Sequence, residues 1–411
     1  MRRTFLKLFI ATTVLSISHS VMAEGFQVNL QDTRSIGMGH AGTGFFNGPS
    51  SIHFNPGALG MLDSKFSMTI GGSLIFGSNL YQSATSTYNA KTENPVGTPF
   101  YAYFAGQVMP KLVVGLGINT PFGNSLKWEE NWSGRYLIED IAMQSITILP
   151  TVSYKINDMF SIGAGMLIGF NSVELSKAIP LSNALGDGRI SMSGKTTSFG
   201  FNVGLYAKFN EKLSAGISYR SKSTVKLDGG DVDLTYPVSL ASLFPASTTF
   251  KGELPFPSNI NLGIALRPID KLMIAVDVHY VGWSAYDSLN FDFSTNSAAL
   301  QDSYNPRKYE DSWIFRIGFE YQAIKKMTVR AGFYFDQTPI QDDYFSPETP
   351  GANKLGFTGG LSFSLVENLK VDLALIYIYG MEREAYYTPD NFGGKYSTVA
   401  MVPSIGISYK F

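Results

Sequence analysis

At 411 residues, a formal net charge of −1 and a pI near 6.4, the chain has no excess of either sign, which removes the electrostatic case for nucleic acid or a polybasic membrane patch. Charged residues make up 16% and aromatics 14%, with 41 glycines and no cysteine; disulfides, thiolate metal sites and cysteine nucleophiles are therefore excluded. Soluble domains carry about 25% charge, so the composition favours a membrane barrel.

The N-terminus has the pattern of a secretory signal. Arg2, Arg3 and Lys7 precede an apolar stretch from Leu8 to about Ile17, and Val21-Met22-Ala23 supplies a cleavage site. A signal peptide over 1–23 is expected, with Glu24 first after cleavage. The apolar stretch is shorter than the roughly 20 residues of a spanning helix, and no later segment is apolar for that long. Export without a helical anchor leaves the periplasm, the medium or the outer membrane.

Residues 24–63 do not alternate. They are rich in glycine, including Gly25, Gly37, Gly39 and Gly57, and Asn55-Pro56-Gly57-Ala58 is a turn signal. Their apolar content (Phe26, Ile36, Met38, Phe45, Phe46, Phe54 among others) argues against a disordered tail. An N-terminal hatch that plugs a wide lumen from the periplasmic side is expected.

From residue 64 to 411 apolar residues alternate with small or polar ones at period two, the pattern of strands with one face toward lipid. Phe160, Ile162, Ala164, Met166, Ile168 and Phe170 share a face, opposite Ser161, Gly163, Gly165, Gly169 and Asn171; Leu167 breaks the pattern. Fourteen strands are predicted, near 64–77, 96–109, 111–120, 139–154, 158–176, 195–209, 212–227, 250–267, 271–286, 308–322, 325–338, 352–366, 368–383 and 396–411. The connections decide against a soluble sandwich. Long loops near 78–95, 121–138, 177–194, 228–249, 287–307, 339–351 and 384–395 alternate with turns such as Met109-Pro110 and Pro268-Ile269-Asp270, as in an outer-membrane barrel with periplasmic turns and outer loops. An all-β, transmembrane antiparallel barrel of about 14 strands follows, and it must close because a sheet edge in hydrocarbon strands its backbone groups. The last strand carries Ile405, Ile407, Tyr409 and Phe411 toward lipid, and the terminal Phe411 is expected to be recognised by the outer-membrane assembly machinery.

Several motifs resemble one family. The start Glu24-Gly25-Phe26-Gln27, Asn55-Pro56-Gly57-Ala58-Leu59, Thr120-Pro121-Phe122-Gly123 with Trp128, Trp132 and Gly134-Arg135-Tyr136, Ser218-Tyr219-Arg220-Ser221, Leu254-Pro255-Phe256-Pro257-Ser258, Arg267-Pro268-Ile269-Asp270-Lys271-Leu272 with Tyr280 and Trp283, and Arg330-Ala331-Gly332 with Asp336-Gln337-Thr338-Pro339 occur in family order. In these the chain resembles the FadL/TodX family of outer-membrane channels for hydrophobic compounds, from residue 24 to 411. The resemblance implies a fourteen-stranded barrel plugged by a hatch that includes Gly25, Asn55, Pro56 and Gly57. It also implies passive uptake of long-chain fatty acids or aromatic hydrocarbons. The solute would meet an apolar groove among the loops, then a pocket beside the N-terminus, and would leave sideways into lipid past a kinked strand. No clear counterpart of the basic lumen residues that meet a fatty-acid carboxylate is found, which shifts the expectation toward hydrophobic compounds broadly.

The residues supply candidates for each step. Phe122, Trp128 and Trp132 in one expected loop and Leu243 and Phe244 in another form either a groove for a greasy ligand or a contact between the loops. Phe26 is a candidate gate to a pocket. Arg316 and Arg330 face the lumen by alternation, either as a carboxylate site or within structural ion pairs. Pro150 and the glycines Gly163, Gly165 and Gly169 are candidates for a break in the wall, since proline and glycine weaken a ladder. Neither a catalytic constellation nor a metal cluster is readable, and no cofactor is expected. A monomer in contact with outer-membrane lipid is expected. The competing reading is a structural or surface-interaction barrel whose loops bind a partner.

Overall fold

The computed structural model describes residues 25–181 and 186–411; the expected signal peptide lies outside the described residues. Fourteen antiparallel strands form a closed barrel. In chain order they are β1 (Phe66–Ser73, continuing as Phe76–Ser83), β2 (Asn89–Lys91 and Phe100–Met109), β3 (Leu112–Lys127), β4 (Asp140–Lys155), β5 (Phe160–Ile179), β6 (Gly188–Lys208) and β7 (Leu213–Arg220 and Ser223–Thr235). They continue with β8 (Thr249–Phe256 and Ser258–Ile269), β9 (Leu272–Gly282), β10 (Ser312–Ile324), β11 (Met327–Asp336), β12 (Lys354–Val366), β13 (Leu369–Tyr387) and β14 (Phe392–Lys410). Each pairs with its neighbour, and β1 pairs with β14 from Ser67↔Lys410 to Ser73↔Ser404. That last ladder removes the open edge.

The alternation read from the sequence holds on the lipid side. Ile264, Phe315, Ile405 and Phe411 point outward and are exposed, while Leu167 is buried on the lumen side where Asn171 and Ser161 also point. Phe411 donates its backbone N–H to the carbonyl of Phe66 at 2.9 Å, which ties the chain terminus to the start of β1. Several expected loops are partly strand. β5 and β6 have 20 and 21 residues, about twice the 9–11 needed to cross the hydrocarbon, so this hairpin stands well above the bilayer. β3 runs on to Lys127 and β7 to Thr235, and within 287–307 Ser288–Phe293 pairs with Ser303–Pro306. Pairing continues past the membrane because the ladder stabilises a hairpin in water as well.

Residues 25–62 lie inside the barrel and contain two single-turn helices, α1 (Thr33–Ile36) and α2 (Ser51–Phe54). Ile36, Met38, Phe45, Ile52 and Leu59 are fully buried. The strands' inward polar groups satisfy the backbone of this segment. Asp277 of β9 accepts the N–H groups of Gly42 and Thr43 at 2.9 Å each, Ser218 donates to the Phe54 carbonyl, and Ser161 donates to that of Gly57. A buried backbone needs such partners, and they explain why the lumen face is polar.

Candidate functional site

The wall has a window between β2 and β3. Their ladder runs up to Tyr101↔Asn119 and then stops; it resumes at the bridge Thr92↔Trp128. Between these points β2 leans away toward β1, where Ser73 donates to the Pro99 carbonyl and Ile75 pairs with Gly97. The sequence here is Asn94-Pro95-Val96-Gly97-Thr98-Pro99, and its two prolines have no N–H for a ladder. Opposite them β3 shifts register against β4 between Asn119 and Phe122, at Thr120-Pro121.

The N-terminal segment takes the place of the missing partner. From inside the barrel, Val28 donates to the Pro121 carbonyl at 2.9 Å, Gly123 donates to that of Phe26 at 2.9 Å, and Gln27 bridges Phe122. Beside this junction is a cavity of about 380 Å³. Its lining includes lumen-side Ile376, Ile378 and Val402 together with Pro95, Val96, Gln144 and Glu174. Ile376, Ile378 and Val402 are buried whereas Pro95, Val96, Gln144 and Glu174 are exposed, so the cavity passes through the wall.

Above the junction Phe26 sits in an aromatic nest. Its ring meets Trp283 edge-on at 4.9 Å, Tyr286 at 5.6 Å and Phe256 at 5.8 Å, and Phe122 stacks on Phe256 at 4.0 Å. Gly25 adopts φ of +56°, and a Cβ there would come within 2.8 Å of the Trp283 ring, so only glycine fits this turn. On the loop side of Phe26 a smaller pocket of about 50 Å³ is lined by Met143, Leu175, Met192, Phe250 and Leu254, with few polar atoms.

A family description covers this architecture: "Outer membrane protein transport protein (OMPP1/FadL/TodX)" matches residues 14–411. The chain belongs to the FadL/TodX family. The long-chain fatty acid transport protein of Escherichia coli is 21% identical over 92% of this chain and 92% of its own. Among solved structures, a FadL homologue of Pseudomonas aeruginosa superposes with a TM-score of 0.82 at 21% identity, covering 94% of this chain and all, 100%, of the other. The toluene transporter TbuX of Ralstonia pickettii gives a TM-score of 0.71 at 18% identity, over 92% and 98%. Membership places the chain in the outer membrane of a Gram-negative bacterium.

Within this FadL/TodX barrel the other candidate residues fall into distinct places. Trp128 and Trp132 stack at 4.2 Å and are buried; their indole N–H groups donate to the carbonyls of Pro347 and Ile138. They cement the loops and share one apolar cluster with Phe26 and Phe122. Phe244 stacks on Tyr236 at 4.2 Å apart from that cluster, and Leu243 is exposed beside it. Arg330 is held in ion pairs, to Glu320 at 2.7 Å and Asp372 at 2.8 Å, and Arg34 of the N-terminal segment joins through Glu320 at 2.7 Å. Arg316 donates to the Gly39 carbonyl and lies over the Tyr334 ring. Both arginines therefore serve the packing of residues 25–62.

Pro150 and the β5 glycines do not adjoin the window. The β4–β5 ladder loses its pairs at Leu149 and Pro150 but resumes in the same register, with Ile148↔Ile168 on the loop side and Thr151↔Gly165 on the turn side. Gly163 is needed for another reason: a Cβ there would lie 2.2 Å from the Pro56 carbonyl oxygen, so it makes room for the Asn55-Pro56-Gly57 turn. Asn55 itself donates to the carbonyls of Thr43 and Leu205 and accepts from the Gly57 N–H. Gly165 and Gly169 face Asn202, Thr151 and Ser198 in the lumen. Pro95, Pro99 and Tyr286 belong to the site without any signal of it in the motifs above, while Phe256 and Trp283 stand in two of those motifs without a site role attached. The paired prolines at the start of a strand were the available signal.

Proposed function

We propose that the protein is a passive channel for hydrophobic small molecules, which enter among the outer loops, pause in the apolar pocket beside Phe26 and leave sideways between β2 and β3. The observation that carries this reading is the cavity through the wall, rimmed by Pro95 and Val96 on one side and Ser125 on the other. An apolar solute gains roughly 25 cal/mol per Å² by avoiding water, and a sideways exit keeps it out of the periplasm. The N-terminal segment, residues 24–63, acts as the hatch. Residues 26–28 occupy the freed edge of β3, so withdrawing them would join the pocket to the window. The names of the relatives support a hydrophobic cargo, one being a fatty-acid transporter and another a toluene transporter.

The test is Gly123→Trp. Gly123 lines the cavity, and a Cβ there meets its nearest atoms only at 3.5 Å, so an indole fills the passage without displacing backbone. Cells lacking the native gene and carrying this variant are expected to take up radiolabelled oleate and toluene several-fold more slowly than cells with the natural chain, because the indole occupies the passage. Heat-modifiable migration should be unchanged. Undiminished uptake would rule out the sideways route, and absence of uptake by the natural chain would rule out the channel.

A further inference from the structure

The turns between β6 and β7, β8 and β9, and β10 and β11 lie side by side at one end of the barrel. Arg267 donates its N–H to the carbonyl of Lys212, and Gln322 donates to that of Lys271. Short turns mark this end as the periplasmic one. Over this sector Lys208, Lys212, Arg267, Lys271, Lys325 and Lys326 face only two acids, Glu211 and Asp270, in a chain whose overall charge is −1. Lys208 is paired with Glu211 at 2.6 Å; among the described residues no carboxylate forms an ion pair with the other five. Like charges gathered this closely repel one another unless a counter-charge is present.

Apolar side chains stand at the same level. Phe209, Ile269 and Ile324 end β6, β8 and β10 and are 45%, 56% and 60% exposed. Two of them follow bulges, where the ladders shift between Leu266 and Ile269 and between Gln322 and Ile324, so each continues the outward face at the end of its strand. Exposed apolar residues interleaved with cations at one level match the boundary between acyl chains and anionic headgroups.

We infer that this sector is a binding surface for anionic phospholipid of the inner leaflet. Lys212, Arg267, Lys271, Lys325 and Lys326 hold phosphate oxygens, while Phe209, Ile269 and Ile324 lie among the upper acyl carbons. The surface is remote from the window and does not depend on the transport reading.

The experiment uses the full folded barrel in detergent, with dimyristoyl phosphatidylglycerol and the zwitterionic phosphatidylethanolamine of the same chains as probes, and bound lipid counted by native mass spectrometry. The natural chain is expected to retain phosphatidylglycerol preferentially. K212Q/R267Q/K271Q/K325Q/K326Q should lose affinity for it on the order of 1,000-fold, whereas K195Q/K226Q/K251Q at the other end should not. Should the five-fold variant fail to fold, raising salt from about 0.05 to 0.5 M on the natural chain should abolish the preference, because screening shortens to a few ångströms. Equal retention of the two lipids, insensitivity to salt, an unaffected five-fold variant, or a preference for lipid A or peptidoglycan fragments over phosphatidylglycerol would overturn the assignment.

Discussion

Phe26 is the residue on which the pocket and the window meet. Its ring closes the aromatic nest of Trp283, Tyr286 and Phe256, and its carbonyl accepts from Gly123 on the freed edge of β3. Phe26→Ala removes the ring and keeps the backbone bond. Truncating a buried phenylalanine costs about 3–5 kcal/mol, spent here on the hold of the N-terminal strand, because the barrel ladders do not involve this side chain. The expected outcome is a barrel that melts as before, faster proteolysis at residues 25–31, and weaker binding of an apolar fluorophore, which loses the Phe26 ring as one wall of its pocket. Binding by the purified variant in detergent checks it, and unaltered affinity would place the pocket elsewhere.

At the scale of elements, β2 is the strand whose ladder with β3 is incomplete. If Pro95 and Pro99 keep it from pairing with β3, then Pro95→Val together with Pro99→Val restores two donors with high strand propensity. The ladder should zip across the window, slow amide exchange over residues 94–100 and reduce uptake. Exchange rates that stay fast would mean that the hatch, rather than the prolines, holds the strands apart. The same contrast shows what was legible in the sequence. Regular strands were, because lipid on one side and a polar lumen on the other enforce a period of two, as in Trp313, Phe315 and Ile317 of β10. The window was not, because it depends on a partner absent over one stretch, and Pro150 and Pro95 look alike in one dimension. Pro150 interrupts its ladder for two residues without moving the strands apart or changing the register, whereas Pro95 and Pro99 lie where the strands part. The nest around Phe26 was hidden for a similar reason: Phe256 of β8 and Trp283 just after β9 lie more than 200 residues along the chain from Phe26, and only the placement of the N-terminal segment inside the barrel brings them together.

For the molecule as a whole, the barrel and the segment inside it are joined by different forces, so they should respond differently to acid. The strands close on backbone hydrogen bonds that have no titration near neutrality. The inner segment instead carries His53, whose Nδ1 accepts from Arg220 at 2.9 Å and lies 3.0 Å from the amide nitrogen of Asn119. Burial, then the nearby Arg220 guanidinium and the charges of His40, His279 and Arg316, push the His53 imidazole well below its ordinary range, and His40 is lowered in the same way. A released segment would titrate these rings near 6.5. As pH falls below that value the released form takes up protons that the packed form refuses, so packing is favoured fully above about pH 6.5 and progressively less below it. Amide exchange of residues 25–62 is therefore expected to accelerate several-fold between pH 7.5 and 5, after correction for intrinsic rates, while the strand amides stay protected. His53→Gln should flatten part of that dependence, since its carbonyl can still accept from Arg220 and carries no proton equilibrium. Exchange in this segment that is indifferent to pH, or strand amides that open along with it, would show that hatch and wall behave as one cooperative unit.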